Sequence, residues 1–320
     1  MLAVCAMPVL LAACGGSGGS GGGAAATHPA PNSKVSMADG QGDLANSTSK
    51  EIAMQLVSTA ENSTRNWRAQ YGYIEDIDDG RGYTGGIIGF TSGTGDMLEL
   101  VRAYTAKAPG NPLAGFLPAL QAVNGTASHD GLGDPFVAAW KDAAKSAEFT
   151  ASQDSERDRV YFDPAVSLGK ADGLGALGQF IYYDAAVVHG RGNGPSTLDA
   201  IRATAMAQAA TPAQGGNEVA YLNAFLDARV VVMKSEPAHE DVSRIETAQR
   251  VFLQQGNLGL NPPLNWAVYG KSYSIPDTGD GLWNVASNWP RRNYYCASKA
   301  VPLWNDALGW GWFARQSPKA

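Results

Sequence analysis

Two neighbouring stretches decide the fold: Ser58-Thr59-Ala60-Glu61-Asn62-Ser63 and Tyr73-Ile74-Glu75-Asp76-Ile77-Asp78-Asp79-Gly80-Arg81-Gly82-Tyr83-Thr84-Gly85-Gly86-Ile87-Ile88-Gly89-Phe90. The first ends an amphipathic helix. Ser49-Lys50-Glu51 opens that helix, Thr48 suits its cap, and Ile52, Leu56 and Val57 share one face. The second belongs to Tyr71–Thr91, where Tyr, Ile and Thr alternate around the glycine-rich turn Asp78–Gly82. That pattern predicts a small antiparallel sheet.

Outward from this pair the chain reads as helices. Helical periodicity predicts Asp96–Lys107, Pro135–Ala147, Ala171–His189, Ser196–Ala210, Asn217–Lys234 and Ser243–Gln255. Pro and Gly separate them, as in Ala108-Pro109-Gly110-Asn111-Pro112 and Thr211-Pro212. No fixed-period repeat is present. The fold class expected for residues 38–277 is therefore mainly α with a small antiparallel sheet, an α+β domain.

The ends differ from this body. Residues 1–14 are an uncharged apolar run, too short to span a bilayer as a permanent helix. Leu11-Ala12-Ala13-Cys14 resembles the bacterial lipobox, which implies a signal peptide and lipidation at Cys14. Residues 15–37 are Gly, Ser, Ala and Pro with almost no large apolar side chain, the composition of a flexible linker. Residues 278–320 hold five of the eight tryptophans. These suit either a sugar-stacking surface or a cap on the domain. With Cys5 removed and Cys14 acylated, Cys296 would be the one thiol left, so no internal disulfide is expected. Such a protein would be secreted or anchored to the cell envelope, touching the membrane only through the lipid.

Of 320 residues, 44% are hydrophobic and 17% charged, with a formal charge of −6. The acidity is concentrated: residues 38–277 carry 18 basic against 28 acidic side chains. A nucleic-acid partner, which needs a basic surface, is not expected; the charge leaves a cationic substrate open. Asp76–Gly80 fails as a calcium loop, because Arg81 and Ile87 stand where Gly and Glu are needed. HExxH, CxxC and GxSxG are missing, and His28, His129, His189 and His239 are scattered singly. Metal and serine-hydrolase chemistry are poorly supported.

The remaining chemistry is the carboxyl pair. A helix end packed on a hairpin can hold Glu61 and Asp79 on opposite sides of a cleft. Glycoside hydrolysis uses such a pair, one carboxyl protonating the leaving oxygen while the other activates water or attacks the sugar. The cluster Glu75, Asp76, Asp78 and Asp79 equally fits a solvated acidic turn.

The stretch resembles the signature of glycoside hydrolase family 46, the bacterial endo-chitosanases. The resemblance continues through Ser92–Leu100, Glu156–Ala165, Thr211–Gly216, Tyr221–Arg229, Gln249–Leu253 and Asn261–Leu264, covering roughly residues 49–277. It implies a lysozyme-like domain of two lobes with the cleft between them. It also implies inverting hydrolysis of chitosan without metal or cofactor, by a protein expected to be a monomer.

Position by position, Glu61 matches the general acid and Asp79 the general base. Thr84 matches the hydroxyl that holds the attacking water. Ser63, Tyr73, Arg81, Thr94, Asp96 and His239 match residues lining the sugar subsites. An exposed Asp96 carboxylate would pair with the ammonium of glucosamine and so favour chitosan over chitin. Asp184, Arg229 and Arg244 match a charged network beneath the acid, a network that serves equally to join the lobes. An Arg beside Glu61 lowers a carboxyl pKa while burial raises it, and sequence does not rank the two.

The chain departs from the family at Thr91, where some members have Cys, at Glu240, where Asp is common, and at Lys271, where some have an acid. A lysozyme-like muramidase and a carbohydrate-binding protein with a silent catalytic pair are the alternatives. Asp96 argues against the first and the intact trio Glu61, Asp79 and Thr84 against the second.

Overall fold

A computed structural model of the chain describes residues 42–78, 80–235 and 240–277. The proposed leader with Cys14, the 15–37 linker, Asp79, His239 and the tail 278–320 lie outside the described residues.

The helix that carries Glu61 is α1, Ser47–Glu61. Its cap is Asn46 rather than Thr48: the Asn46 side chain accepts the Ser49 N–H at 2.8 Å, so the helix begins two residues early. A short 3₁₀ helix, Trp67–Gly72, then leads into β1 (Ile74–Asp76), β2 (Tyr83–Gly85) and β3 (Phe90–Thr91). The three strands are antiparallel in that order, pairing Glu75 with Thr84 and Thr84 with Thr91.

The remaining helices are α2 (Asp96–Lys107), α3 (Leu117–Val123), α4 (Gly133–Ala143), α5 (Ala147–Arg157), α6 (Asp163–Ala171), α7 (Ala176–His189), α8 (Leu198–Met206), α9 (Glu218–Lys234) and α10 (Arg250–Gln254). Several expected helices are cut by local chemistry. Pro135–Ala147 ends early because Ser146 caps a new helix, accepting the Phe149 N–H at 3.1 Å. Ala171–His189 is interrupted at Gly173, whose φ of +77° a side chain would strain. Asp158–Phe162 and Ile245–Gln249 are single π-helical turns, a bulge that helical periodicity does not reveal. A second hairpin, β4 (Leu264–Val268) and β5 (Lys271–Ile275), was not expected. It turns at Tyr269-Gly270, both at positive φ, the two-residue geometry that suits strand twist.

Two hydrophobic cores result. The larger joins α1 to α6–α10 and the β4–β5 hairpin through residues such as Leu56, Phe162, Ile181, Phe225, Phe252 and Trp266. The smaller joins β1 and β3 to α2–α5 through Phe90, Leu100, Phe136, Trp140 and Phe149. The architecture is mainly helical with a small antiparallel sheet, the expected lysozyme-like α+β fold. The small core fixes the sheet. Trp140 is fully buried, and its indole N–H donates to the Tyr71 carbonyl at 3.2 Å. A Cβ at Gly85 would lie 2.9 Å from the Tyr73 carbonyl and 3.1 Å from the Trp140 ring, so β2 needs glycine there to approach.

Candidate active site

Glu61 is the last residue of α1 and only 5% exposed. The helix repeat turns Ile52, Leu56 and Val57 into the large core and leaves Glu61 at the core's edge. Its Oε1 accepts from Arg244 Nη2 at 2.7 Å. The same Nη2 donates to Asp184 Oδ1 at 2.6 Å, and Arg244 Nε donates to Asp184 Oδ2 at 3.2 Å. Arg229, entirely buried, donates Nη1 to Asp184 Oδ2 at 2.7 Å and Nε to His189 Nε2 at 3.2 Å. Gln249 Nε2 adds a bond of 2.7 Å to Asp184 Oδ2.

Arg229, Arg244 and the Asp184 carboxylate, with Glu61 on the same arginine, thus form one buried hydrogen-bonded cluster, and pairing the charges offsets a desolvation cost that each ion alone could not survive. Burial raises the Asp184 pKa, but the guanidinium groups of Arg244 and Arg229 outweigh it and hold the carboxyl well below the usual range. Asp184 therefore takes up much of the charge that Arg244 would otherwise turn wholly on Glu61. Around this cluster, burial keeps the Tyr269 hydroxyl protonated, with Arg244 opposing and Glu61 reinforcing that effect.

The hairpin side is built differently. Thr84 on β2 is 1% exposed, and its Oγ1 has no hydrogen-bond partner among the described residues. A buried hydroxyl left so costs roughly 1–3 kcal/mol, which a bound water would relieve. Its cross-strand neighbour Thr91 leads on to Asp96: the Thr91 N–H donates to Asp96 Oδ1 at 3.0 Å, and Thr94 Oγ1 donates to the same oxygen at 2.8 Å.

Asp96 is half-buried, not the exposed carboxylate expected from sequence, because it sits in the first turn of α2 with β3 folded over it. Burial pushes its pKa up to about 6, although the bonds from Thr94, Thr91 and Met97 pull the other way. Arg81 is buried, and burial holds the Tyr161 hydroxyl protonated, with the Asp96 charge reinforcing and the Arg81 charge opposing that effect. Tyr73 donates to Glu75 across the outer face of β1. Ser63, at a φ of +52°, offers its carbonyl to Lys271 Nζ at 2.8 Å. That ties the loop after Glu61 to β5.

Among the described residues no group of three or more His, Cys, Asp or Glu converges to hold a metal ion. The chemistry on view is that of a buried acid backed by a shared arginine, together with a buried hydroxyl on β2, a carboxylate at the start of α2 and a buried arginine in the turn before β2.

The profile of Glycosyl hydrolase family 46 matches residues 55–264. The chain belongs to this family. A chitosanase of Streptomyces sp. strain N174 is 67% identical over 226 residues, 71% of this chain and 81% of that protein. A chitosanase of Nocardioides sp. strain N106 is 60% identical over 226 residues, with the same shares. A co-crystal structure of chitosanase OU01 with substrate superposes with a TM-score of 0.70 at 64% identity, covering 73% of this chain and 98% of that one. The protein is thus a glycoside hydrolase with the family-46 fold.

Within this family-46 hydrolase, sequence reasoning missed Gln249, His189 and Tyr269 around the acid and Tyr161, whose hydroxyl feels the Asp96 charge. No local pattern marks them. Gln249 ends a π turn inside a stretch whose periodicity predicts an α-helix, and Tyr269 opens the turn of a hairpin that the sequence pattern does not predict.

Proposed function

We propose that this hydrolase is an endo-acting chitosanase that cleaves β-1,4 links between glucosamine units with inversion. The observation that carries the proposal is Glu61, a carboxyl buried at a helix end and held by an arginine that a second acid shares, in a chain 67% identical to a chitosanase. In this mechanism Glu61 gives its proton to the glycosidic oxygen. Asp79 takes a proton from a water that Thr84 Oγ1 helps to hold. The water oxygen bonds to the anomeric carbon from the opposite face as the C–O bond breaks, and the electron pair leaves on the protonated oxygen. The carboxylate left on Glu61 keeps its bond from Arg244. Inversion needs room for that water, a carboxyl separation of roughly 6.5–9.5 Å. Excess acid in 38–277 favours encounter with a polycation, less so at high salt. We also propose export by the 1–14 leader, anchorage through a lipid on Cys14, and the 15–37 segment as tether. The test is ¹H NMR of glucosamine hexamer during early hydrolysis. The α anomer should appear first; the β anomer would overturn inversion, and no cleavage would overturn the function.

Asp96 gives a pH prediction. Its carboxyl gains charge as pH rises through about 6, and only the charged form attracts an ammonium. Asp96→Asn should lower kcat/KM on glucosamine oligomers about 10- to 100-fold above that pH, the worth of one charge-assisted hydrogen bond. The wild-type advantage should shrink as pH falls below 6, because protonated Asp resembles Asn. Titration of the substrate amine is common to both enzymes and cancels in the ratio. For stability the sign is opposite to that of a salt-bridged acid: a raised folded-state pKa means stability is lost as pH climbs from about 3.8 to about 6.

A further inference from the structure

The loop 124–132 between α3 and α4 has no part in the mechanism above, yet it docks on the hairpin through backbone. Gly125 N–H donates to the Gly93 carbonyl and Gly93 N–H to the Arg81 carbonyl, each at 2.8 Å. A Cβ on Gly93 would collide with the Thr126 carbonyl, so the approach is as close as backbone allows. The loop is internally braced: Ser128 N–H donates to Thr126 Oγ1 at 3.1 Å, Asp130 N–H to Ser128 Oγ at 3.0 Å, and Leu132 N–H to the His129 carbonyl at 2.9 Å. Leu132 anchors its far end in the small core.

From this braced loop the His129 side chain reaches the hairpin. The His129 ring stacks on Tyr83 with centroids 4.1 Å apart and planes 19° from parallel. Its Nε2 lies 3.0 Å from Asp76 Oδ2, out of line for a straight hydrogen bond but at ion-pair distance. The other oxygen, Asp76 Oδ1, accepts the Asp78 N–H at 2.8 Å and so shapes the turn that starts there. Asp76 and Tyr83 are directly paired across β1 and β2. His129 thus grips both strands at the base of the turn. Its neighbour on one side is the carboxylate that shapes the turn, and on the other the residue preceding Thr84. Asp130 on its own loop and Asp134 on α4 add negative charge nearby, Asp134 acting on the Tyr83 hydroxyl.

We propose that His129 is a positioning residue for hydrolysis, clamping Asp76 and Tyr83 so that β2 presents Thr84 to the sugar in fixed register. The inference rests on the proposed hydrolytic role of that hairpin. A clamp on the reacting geometry acts on turnover more than on substrate affinity, because a small misplacement of the Thr84 hydroxyl that holds the water slows the chemical step.

The test is steady-state hydrolysis of glucosamine hexamer by the full chain. His129→Phe keeps a ring over Tyr83 but removes the nitrogen that faces Asp76. It should lower kcat about tenfold with KM changed less than about twofold. His129→Gln restores a polar donor and should recover kcat to within about threefold of wild type. Asp76→Asn keeps the acceptor for Asp78 and removes the charge; it should match His129→Phe, and the double variant should lose little more than either single change. Wild-type kcat in His129→Phe overturns the inference. So does a kcat loss that Gln does not rescue and that adds to that of Asp76→Asn. Should His129→Phe fail to fold, His129→Gln and Asp76→Asn with their double variant decide by the same additivity. A wild-type enzyme that releases no reducing ends overturns the hydrolytic proposal itself, a different failure.

Discussion

Glu61→Gln should reduce chitosan cleavage by about 10³-fold, in line with the 10²–10⁴ typical of losing a general acid. Glutamine keeps an Oε1 to accept the 2.7 Å bond from Arg244, so the buried cluster stays connected. It has no proton to give at the leaving oxygen. The melting temperature should move by only a few degrees, and binding of glucosamine oligomers should persist. Asp79→Asn should cost a similar factor by removing the base. Reducing-end release measured beside thermal unfolding separates this outcome from a folding defect. A Glu61→Gln enzyme with near-normal rates would show that another group donates the proton.

The second large effect concerns stability. Asp184→Ala leaves Arg229 and Arg244 buried with their principal counter-charge gone, Glu61 alone remaining against Arg244. Breaking such a cluster from one side costs about 3–5 kcal/mol. For a domain of this size that is a fall of roughly 6–20 °C in melting temperature. Replacing Asp184 and Arg229 together by Leu and Met should recover part of the loss, since Arg229 is then not stranded while Arg244 keeps Glu61 alone. If the single variant melts with wild type, the cluster does not hold the fold.

The pH sign follows from the depressed Asp184 pKa. Its stabilisation is complete above the ordinary carboxylate range and is lost only as pH falls toward the much lower folded-state value. The wild-type advantage over Asp184→Ala should therefore be flat from neutral pH down to about 4.

Asp184 and Asp96 show how differently two carboxyls of one fold are treated. Both are withdrawn from water. Asp184 meets two guanidinium groups and stays charged far into acid. Asp96 meets hydroxyl and amide donors, which do not fully replace lost hydration, and its pKa rises to about 6. The first suits structure beneath an acid, the second a site whose charge varies in a working pH range.

Much was legible in the chain alone. The periodicity of Ile52, Leu56 and Val57 placed Glu61 at a helix end, and Asp96–Lys107 was delimited to the residue. The alternation in Tyr71–Thr91 gave the sheet. These are local signals, set by side-chain spacing and turn chemistry within a few residues. The resemblance named the family and the residues to examine. What sequence could not supply is whatever depends on distant segments meeting. Residues 184, 229, 244 and 249 come from three separate segments of the chain, and only packing of α7, α9 and the π turn beside α1 decides that one arginine bridges two acids. Only the fold of β3 over α2 turns an apparently exposed Asp96 into a half-buried one, because burial belongs to the assembled surface. His129, a lone histidine without motif, acquires meaning only where a glycine-permitted backbone contact brings its loop onto Asp76 and Tyr83.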